Sequence, residues 1–153
     1  MKKQQKGFSL IELLIVVAII LIIAAIAIPN LIKSKMAANE SSAVGSLRTI
    51  TTAEIAYSTA CPSVGFAASL AELQAGASCN AASNEIDNTL STGVKSGYSF
   101  HNYTATGTPA TQFNINADPL TTSSGTRHFY VDESGVIRAN STAAATNTDN
   151  ALQ

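Results

Sequence analysis

The sequence contains little charge, few aromatic residues and only two cysteines. Charged residues make up 12% of its 153 residues, aromatic residues make up 6%, and tryptophan is absent. The formal net charge is −1, so the chain has no basic excess with which to bind the phosphates of nucleic acid. This length allows one domain in addition to a long helix, but not two full domains.

The sequence also contains no recognisable catalytic or metal-binding pattern. His101 and His128 each lie within a predicted strand, where they are interpreted as surface or half-buried residues, and no Ser/His/Asp or Cys/His spacing accompanies them. Asp132 and Glu133 precede a Ser-Gly pair and supply two carboxylates, fewer than a calcium site normally gathers, so a hairpin turn is the better interpretation. We therefore predict that the protein is not an enzyme and uses no cofactor or metal.

The longest uninterrupted apolar run covers residues 13–28 and contains no charge, glycine, proline or polar side chain. Extending the run back to Phe8 gives 21 residues, interrupted only by Ser9 and Glu12. At about 1.5 Å per residue, a helix of this length covers roughly 30 Å, the thickness of the hydrocarbon core of a bilayer. The segment is therefore predicted to be a membrane-spanning helix.

The lysines are concentrated before this helix, which predicts that its N-terminal end stays in the cytoplasm and the rest of the chain lies outside it. Such a compartment is oxidising and permits a disulfide bond between Cys61 and Cys79, the only cysteines. The bond would close a loop of 18 residues and stabilise the fold by about 3 kcal/mol. Two free thiols are the alternative, and a metal site is disfavoured because no histidine lies at a suitable spacing.

Glu12 is the one charged residue inside the apolar segment. An ionised carboxylate there costs about 3 kcal/mol unless it meets a cation or reaches headgroup water. Cleavage after Gly7 would supply a cation, because Phe8 would then carry a free α-amino group about one helical turn away, on the same chain or on a staggered neighbour. An ordinary secretory signal cleaved after Ala27 is a second interpretation, but the apolar run is long for one and such a signal needs no glutamate.

Residues 7–12, Gly-Phe-Ser-Leu-Ile-Glu, follow a short basic leader and precede the apolar run. This arrangement, which covers about 25 residues, closely resembles the N-terminal signal of type IV pilins and of type II secretion pseudopilins. The resemblance implies that a prepilin peptidase cleaves between Gly7 and Phe8 and methylates the amine of Phe8. It also implies that Glu12 sets the register of subunits during filament assembly. Pro29, just past the run, fits the family pattern.

Beyond Pro29, apolar residues recur at steps of three and four until about residue 60, which predicts an amphipathic helix whose apolar stripe packs on a sheet. Charged residues of this region, Glu40 among them, fall mostly outside the stripe. Pro29 is predicted to kink the helix or to remove hydrogen bonds locally. The stripe consists of Ala43, Leu47, Ile50, Ala53 and Tyr57.

After Cys61-Pro62, residues 62–90 are predicted to be a connection that contains one short helix, opened by a capping box at Ser69–Glu72 and closed by Gly76. Alternating patterns then predict three or four antiparallel strands that pack on the helix stripe. The predicted strands cover residues 97–105, 111–117, 127–132 and 136–139.

The predicted fold is therefore α+β, with a long N-terminal helix packed against a small antiparallel sheet, as in the pilin fold. The chain divides into a removable leader (1–7), a membrane or filament-core helix (8–29), an amphipathic half of the helix (30–60), a globular head (61–139) and a tail (140–153). The tail is polar and without a core pattern, so we predict that it is flexible or loosely docked.

The resemblance implies a structural subunit that polymerises through its N-terminal helix into a type IV pilus, used for adhesion, twitching motility or DNA uptake. The alternatives are a pseudopilin that forms a periplasmic pseudopilus and a membrane-tethered binding module that never assembles. The implied partners are further copies of the chain, the prepilin peptidase, the inner-membrane assembly machinery and membrane lipid. We expect a single-pass inner-membrane protein before assembly and an extracellular pilus, or a periplasmic pseudopilus, afterwards.

Overall fold

A computed structural model describes residues 8–74 and 86–152, apart from the side chain of Asn102. The chain divides into two compact units, Met1–Lys35 and Met36–Gln153, called here the N-terminal unit and the head unit. The first helix, α1 (Leu10–Ala60), contributes residues to both units. Each unit is described separately.

Within the head unit, α1 buries one face in a hydrophobic core. The five residues of the predicted stripe are each 0–1% exposed, which confirms the stripe. Their spacing of three and four residues places them on one side of a helix with 3.6 residues per turn. The same core cluster contains Phe100, Ala117 and Phe129 from the sheet, so α1 and the sheet share one core.

Among the described residues, five strands form one antiparallel sheet in which each strand pairs with the next along the chain. The α+β fold predicted from the sequence is confirmed. In the register of the central strands, Ala117 pairs with Phe100 on one side and Phe129 on the other, so these three side chains point to the same buried face. The strands are β1 (Val94–Lys95), β2 (Tyr98–Gly107), β3 (Ala110–Pro119), β4 (His128–Asp132) and β5 (Arg138–Asn140).

Among the described residues, two short helices follow α1 and precede β1 in the chain. The predicted short helix is present as α2 (Leu70–Gln74), and Glu72 Oε2 accepts a hydrogen bond from the Ala68 amide just before it. Gly76, predicted to end this helix, lies outside the described residues. A second helix, α3 (Asn88–Ser91), falls where the sequence pattern predicts only a connection; its N-terminus is capped by Asp87 Oδ1, which accepts the Leu90 amide at 2.8 Å. A helix of four residues is too short to show a helical period in sequence.

The tail contacts the rest of the head unit at a few positions, while most of residues 141–152 are exposed. Ala145 is 2% exposed, and its carbonyl accepts a hydrogen bond from Asn116 Nδ2 at 2.7 Å. The Leu152 amide donates to the Ile137 carbonyl at 2.8 Å. Leu152 also packs against the hydrophobic core, so backbone hydrogen bonds and isolated apolar contacts dock the tail without a repeating apolar pattern.

Candidate assembly site

The apolar side chains at the start of α1 are exposed. The large ones between Leu10 and Ile32 have exposed fractions from 44% to 77%. An 18-residue window of this helix has a mean hydropathy of 3.3, and none of that window is buried; by length and composition, the helix is suitable for crossing a membrane. An apolar surface of this size normally marks contact with lipid or with another protein.

The N-terminus of α1 is capped by the Glu12 carboxylate. Glu12 Oε2 accepts a hydrogen bond from the Ser9 amide at 2.9 Å, and the Leu13 amide donates to the Ser9 carbonyl at 3.2 Å. Ser9 and Glu12 occupy the first and fourth positions of a Ser-x-x-Glu capping box, in which the glutamate satisfies an N–H that the helix leaves unpaired. The sequence predicts a cation as the partner of Glu12, whereas its partner within the chain is a backbone N–H.

The other predicted assembly residues lie close to this cap or further along α1. Phe8 lies two residues before the start of α1 and is 84% exposed. Gly7 lies outside the described residues, so cleavage and methylation at this point remain predictions. Pro29 lies inside α1, which continues through it, and the kink there also remains a prediction.

The predicted disulfide involves one described cysteine. Cys61 follows the last residue of α1, is 3% exposed and is not a free cysteine. Cys79 lies outside the described residues, so its pairing with Cys61 remains a prediction.

Glu40 is a buried carboxylate that joins α1 to the loop between β3 and β4. It is 7% exposed; Oε1 accepts the Thr126 amide at 2.9 Å, and Oε2 accepts Arg127 Nε at 2.8 Å. The Thr126 hydroxyl and the Arg127 amide also donate to Oε1. Although burial raises it, these hydrogen bonds and the charge of Arg127 hold the pKa of Glu40 below its ordinary value. No local sequence pattern indicates this role of Glu40, because its partners lie 86 and 87 residues away.

Glu54 is a second buried carboxylate of α1, and it is 0% exposed. Its Oε2 accepts the Ala67 amide at 3.0 Å, while Oε1 has no hydrogen-bond partner among the described residues. Burial raises the pKa of Glu54 to about 7; the hydrogen bond from Ala67 opposes this shift, and the charge of Glu72 adds to it. The sequence offers one signal for its burial, because Glu54 lies one helical turn after Ile50 of the buried stripe.

The raised pKa predicts that the head unit loses stability as the pH rises. Unfolded Glu54 gives up its proton near its ordinary pKa of 4.5, whereas the folded protein keeps the proton to about pH 7. At about 1.4 kcal/mol per pKa unit, the free energy of unfolding should fall by about 3 kcal/mol across this interval. Below pH 4.5 this contribution is fully present.

Glu54→Gln should remove this pH dependence, because glutamine keeps the shape of the protonated acid and carries no charge. Urea unfolding of the full chain in detergent, at about pH 5 and about pH 8, measures the effect. The exposed Glu133→Gln is the control and should keep the parent's pH dependence. If Glu54→Gln shows the same pH dependence of stability as the parent, another group causes that dependence.

Asp118 links three neighbouring strands on the face of the sheet opposite Ala117. Its Oδ2 lies 2.6 Å from His101 Nε2 on β2, and its Oδ1 lies 2.7 Å from His128 Nδ1 on β4. The two histidine side chains are 38% and 26% exposed, which confirms their interpretation as half-buried strand residues. Their shared contact is a cross-strand hydrogen-bonded cluster of the kind that stabilises sheets.

The Asp132–Glu133 segment forms the turn between β4 and β5. The Ser134 amide donates to Asp132 Oδ1 at 3.0 Å, and the Gly135 amide donates to the Asp132 carbonyl at 2.9 Å. Gly135 has φ of 72°, a left-handed conformation that favours glycine. In the part of the chain that the structure describes, no group of three or more His, Cys, Asp or Glu side chains is arranged to hold a metal ion.

The sequence at the exposed, apolar start of α1 matches a known family. Residues 2–28 match the family described as "Prokaryotic N-terminal methylation motif". This match and the two curated relatives below confirm the resemblance of residues 7–12 to the N-terminal signal of type IV pilins.

Two curated relatives of the chain are named as major components of type IV pili. The chain is 50% identical over 54 residues to the type IV major pilin protein PilA of Myxococcus xanthus, covering 35% of this chain and 24% of the relative. It is 58% identical over 38 residues to the type IV wide pilus major component PilA4 of Thermus thermophilus, covering 25% of this chain and 29% of the relative. These matches thus span about a quarter of the relatives' lengths. No solved structure matches the chain.

Proposed function

We propose that the protein is a pilin, a structural subunit that polymerises through its N-terminal helix into a type IV pilus. The observation that carries the proposal is the methylation motif of residues 2–28, whose apolar residues are exposed along the start of α1. The head unit has its own hydrophobic core and needs none of this surface to fold. The apolar surface is therefore available for lipid and then for other copies of the chain.

The apolar segment restricts where the subunit can go. Exposure to water costs about 1.5–3 kcal/mol for each large apolar side chain, so the segment stays in lipid until other apolar helices surround it. The same segments of further copies provide that surrounding. Head-to-tail contacts of this kind do not close into a ring and therefore extend into a helical filament.

Processing at the start of the motif prepares the subunit for assembly. A prepilin peptidase removes the leader, residues 1–7, by cleavage between Gly7 and Phe8, and Phe8 is then N-methylated. The new amine of one copy pairs with Glu12 of its neighbour. Any other axial register buries the carboxylate and the amine without an opposite charge beside them, which is strongly disfavoured. Glu12 therefore sets the register of the filament.

Both curated relatives are named as major pilus components, which supports a pilin subunit. In this proposal the processed subunit is held in the inner membrane by residues 8–29, with its head outside the cytoplasm. The assembly machinery of that membrane then moves it into an extracellular filament that serves adhesion, motility or DNA uptake.

Antibodies raised against the head unit should decorate filaments on intact cells, as seen by immunogold electron microscopy. Cells that lack the gene supply the control and should carry no decorated filaments. Labelling confined to permeabilised cells would contradict a surface pilus and would favour a periplasmic pseudopilus. Labelling at the membrane without any filament would indicate a tethered module.

A further inference from the structure

We propose that the backbone amide of Ser9 is the partner of Glu12 before assembly, so that the carboxylate is already hydrogen-bonded within its own chain when no neighbouring amine is present. The contact itself is a property of the single subunit. Its meaning for assembly rests on the function proposed above, in which Glu12 later pairs with an amine of another copy.

The geometry of the first turn carries the proposal. Glu12 Oε2 lies 2.9 Å from the Ser9 nitrogen, three residues earlier, and the helix begins between them at Leu10. The N–H groups of a first helical turn have no carbonyl partner within the helix. The N-terminal end of a helix also carries partial positive charge, which favours a carboxylate at this position.

The position of the Ser9 amide makes this partner independent of processing. The Phe8–Ser9 peptide bond lies after the proposed cleavage point, so the precursor and the processed chain both contain this N–H. In both the precursor and the processed chain, one carboxylate oxygen of Glu12 therefore accepts a hydrogen bond while the helix lies in the bilayer. The neighbour's amine then adds a contact to a carboxylate whose orientation is already fixed, and Ser9 acts as a positioning residue for the assembly contact.

Amide hydrogen exchange of Ser9 tests the contact directly. The full-length, uncleaved chain is placed in phospholipid nanodiscs, and nuclear magnetic resonance compares the parent with Glu12→Ala and Glu12→Gln. Loss of the hydrogen bond in Glu12→Ala should speed exchange of the Ser9 amide by about tenfold. Glu12→Gln should keep slow exchange, because its side-chain carbonyl still accepts the hydrogen bond although it carries no charge.

Equal exchange of the Ser9 amide in the parent and in Glu12→Ala would overturn the proposal, and so would exchange in Glu12→Gln as fast as in Glu12→Ala. Amides beyond residue 40 are the internal reference and should not change in any variant. The chains in nanodiscs are unassembled, so this result does not depend on filament formation. Failure of the proposed function would appear instead in the decoration of intact cells.

Discussion

Replacing Glu12 by alanine should leave the chain inserted and cleaved but should lower the yield of surface filaments by more than about tenfold. The amine of Phe8 would then be buried in the filament without its carboxylate, and removing one partner of a buried ion pair costs about 3–5 kcal/mol. Insertion should persist, because alanine makes the segment more apolar. The measurement is the amount of subunit in sheared filaments, divided by the amount of processed subunit in the membrane.

Two variants make this prediction specific to the charge of Glu12. Glu133→Ala removes an exposed carboxylate from the turn between β4 and β5 and should give the parent's filament yield. Glu12→Gln retains an acceptor for the Ser9 amide but not the charge, so it should assemble as poorly as Glu12→Ala. Abundant filaments of normal appearance from Glu12→Ala would contradict the register role.

Replacing Glu40 by alanine should lower the free energy of unfolding of the head unit by about 3 kcal/mol. The change leaves the part-buried amides of Thr126 and Arg127 and the Thr126 hydroxyl without their acceptor. A fully buried unsatisfied donor costs about 1–3 kcal/mol, so each of these part-buried donors should contribute about 1 kcal/mol. The Arg127 side chain is 44% exposed, so water largely solvates its charge once Glu40 is removed. Losing this ion pair therefore lowers stability less than losing the partner of a fully buried cation would. Urea unfolding of the full chain in detergent measures the difference.

Glu133→Ala again serves as the control and should change stability by less than about 0.5 kcal/mol. Glu40→Gln should fall between the parent and Glu40→Ala, because its carbonyl keeps one acceptor while the charge opposite Arg127 is lost. A loss below about 1 kcal/mol in Glu40→Ala would show that the loop between β3 and β4 is held to α1 by packing rather than by this carboxylate.

Local patterns explain why much of the fold was predictable from the sequence. The stripe from Ala43 to Tyr57 repeats at helical spacing, and the strands around Phe100 and Phe129 alternate, so each element carries its own signal. The assembly segment was also readable, since residues 7–12 and the apolar run are contiguous. The Ser9–Glu12 cap is local too and follows a Ser-x-x-Glu pattern.

The remaining features depend on partners distant in sequence. Glu40 resembles a solvent-exposed helix residue until the loop at Arg127 folds back onto it. The tail docks partly through the backbone carbonyl of Ala145, which accepts a hydrogen bond from Asn116. A backbone contact of this kind leaves no apolar pattern in the sequence. No period of 2.0 or 3.6 residues encodes contacts of this kind, so they become visible only in the folded chain.

The intact mass of the chain in filaments sheared from the cell surface tests whether it is a processed pilus subunit. We expect an abundant chain that begins at Phe8 and is one methyl group heavier than its sequence. The same processed chain found only in the cell envelope would contradict a surface pilus and would indicate a pseudopilin. A soluble chain that begins at Ile28 would contradict the whole account, because the apolar segment would then be a discarded secretory signal.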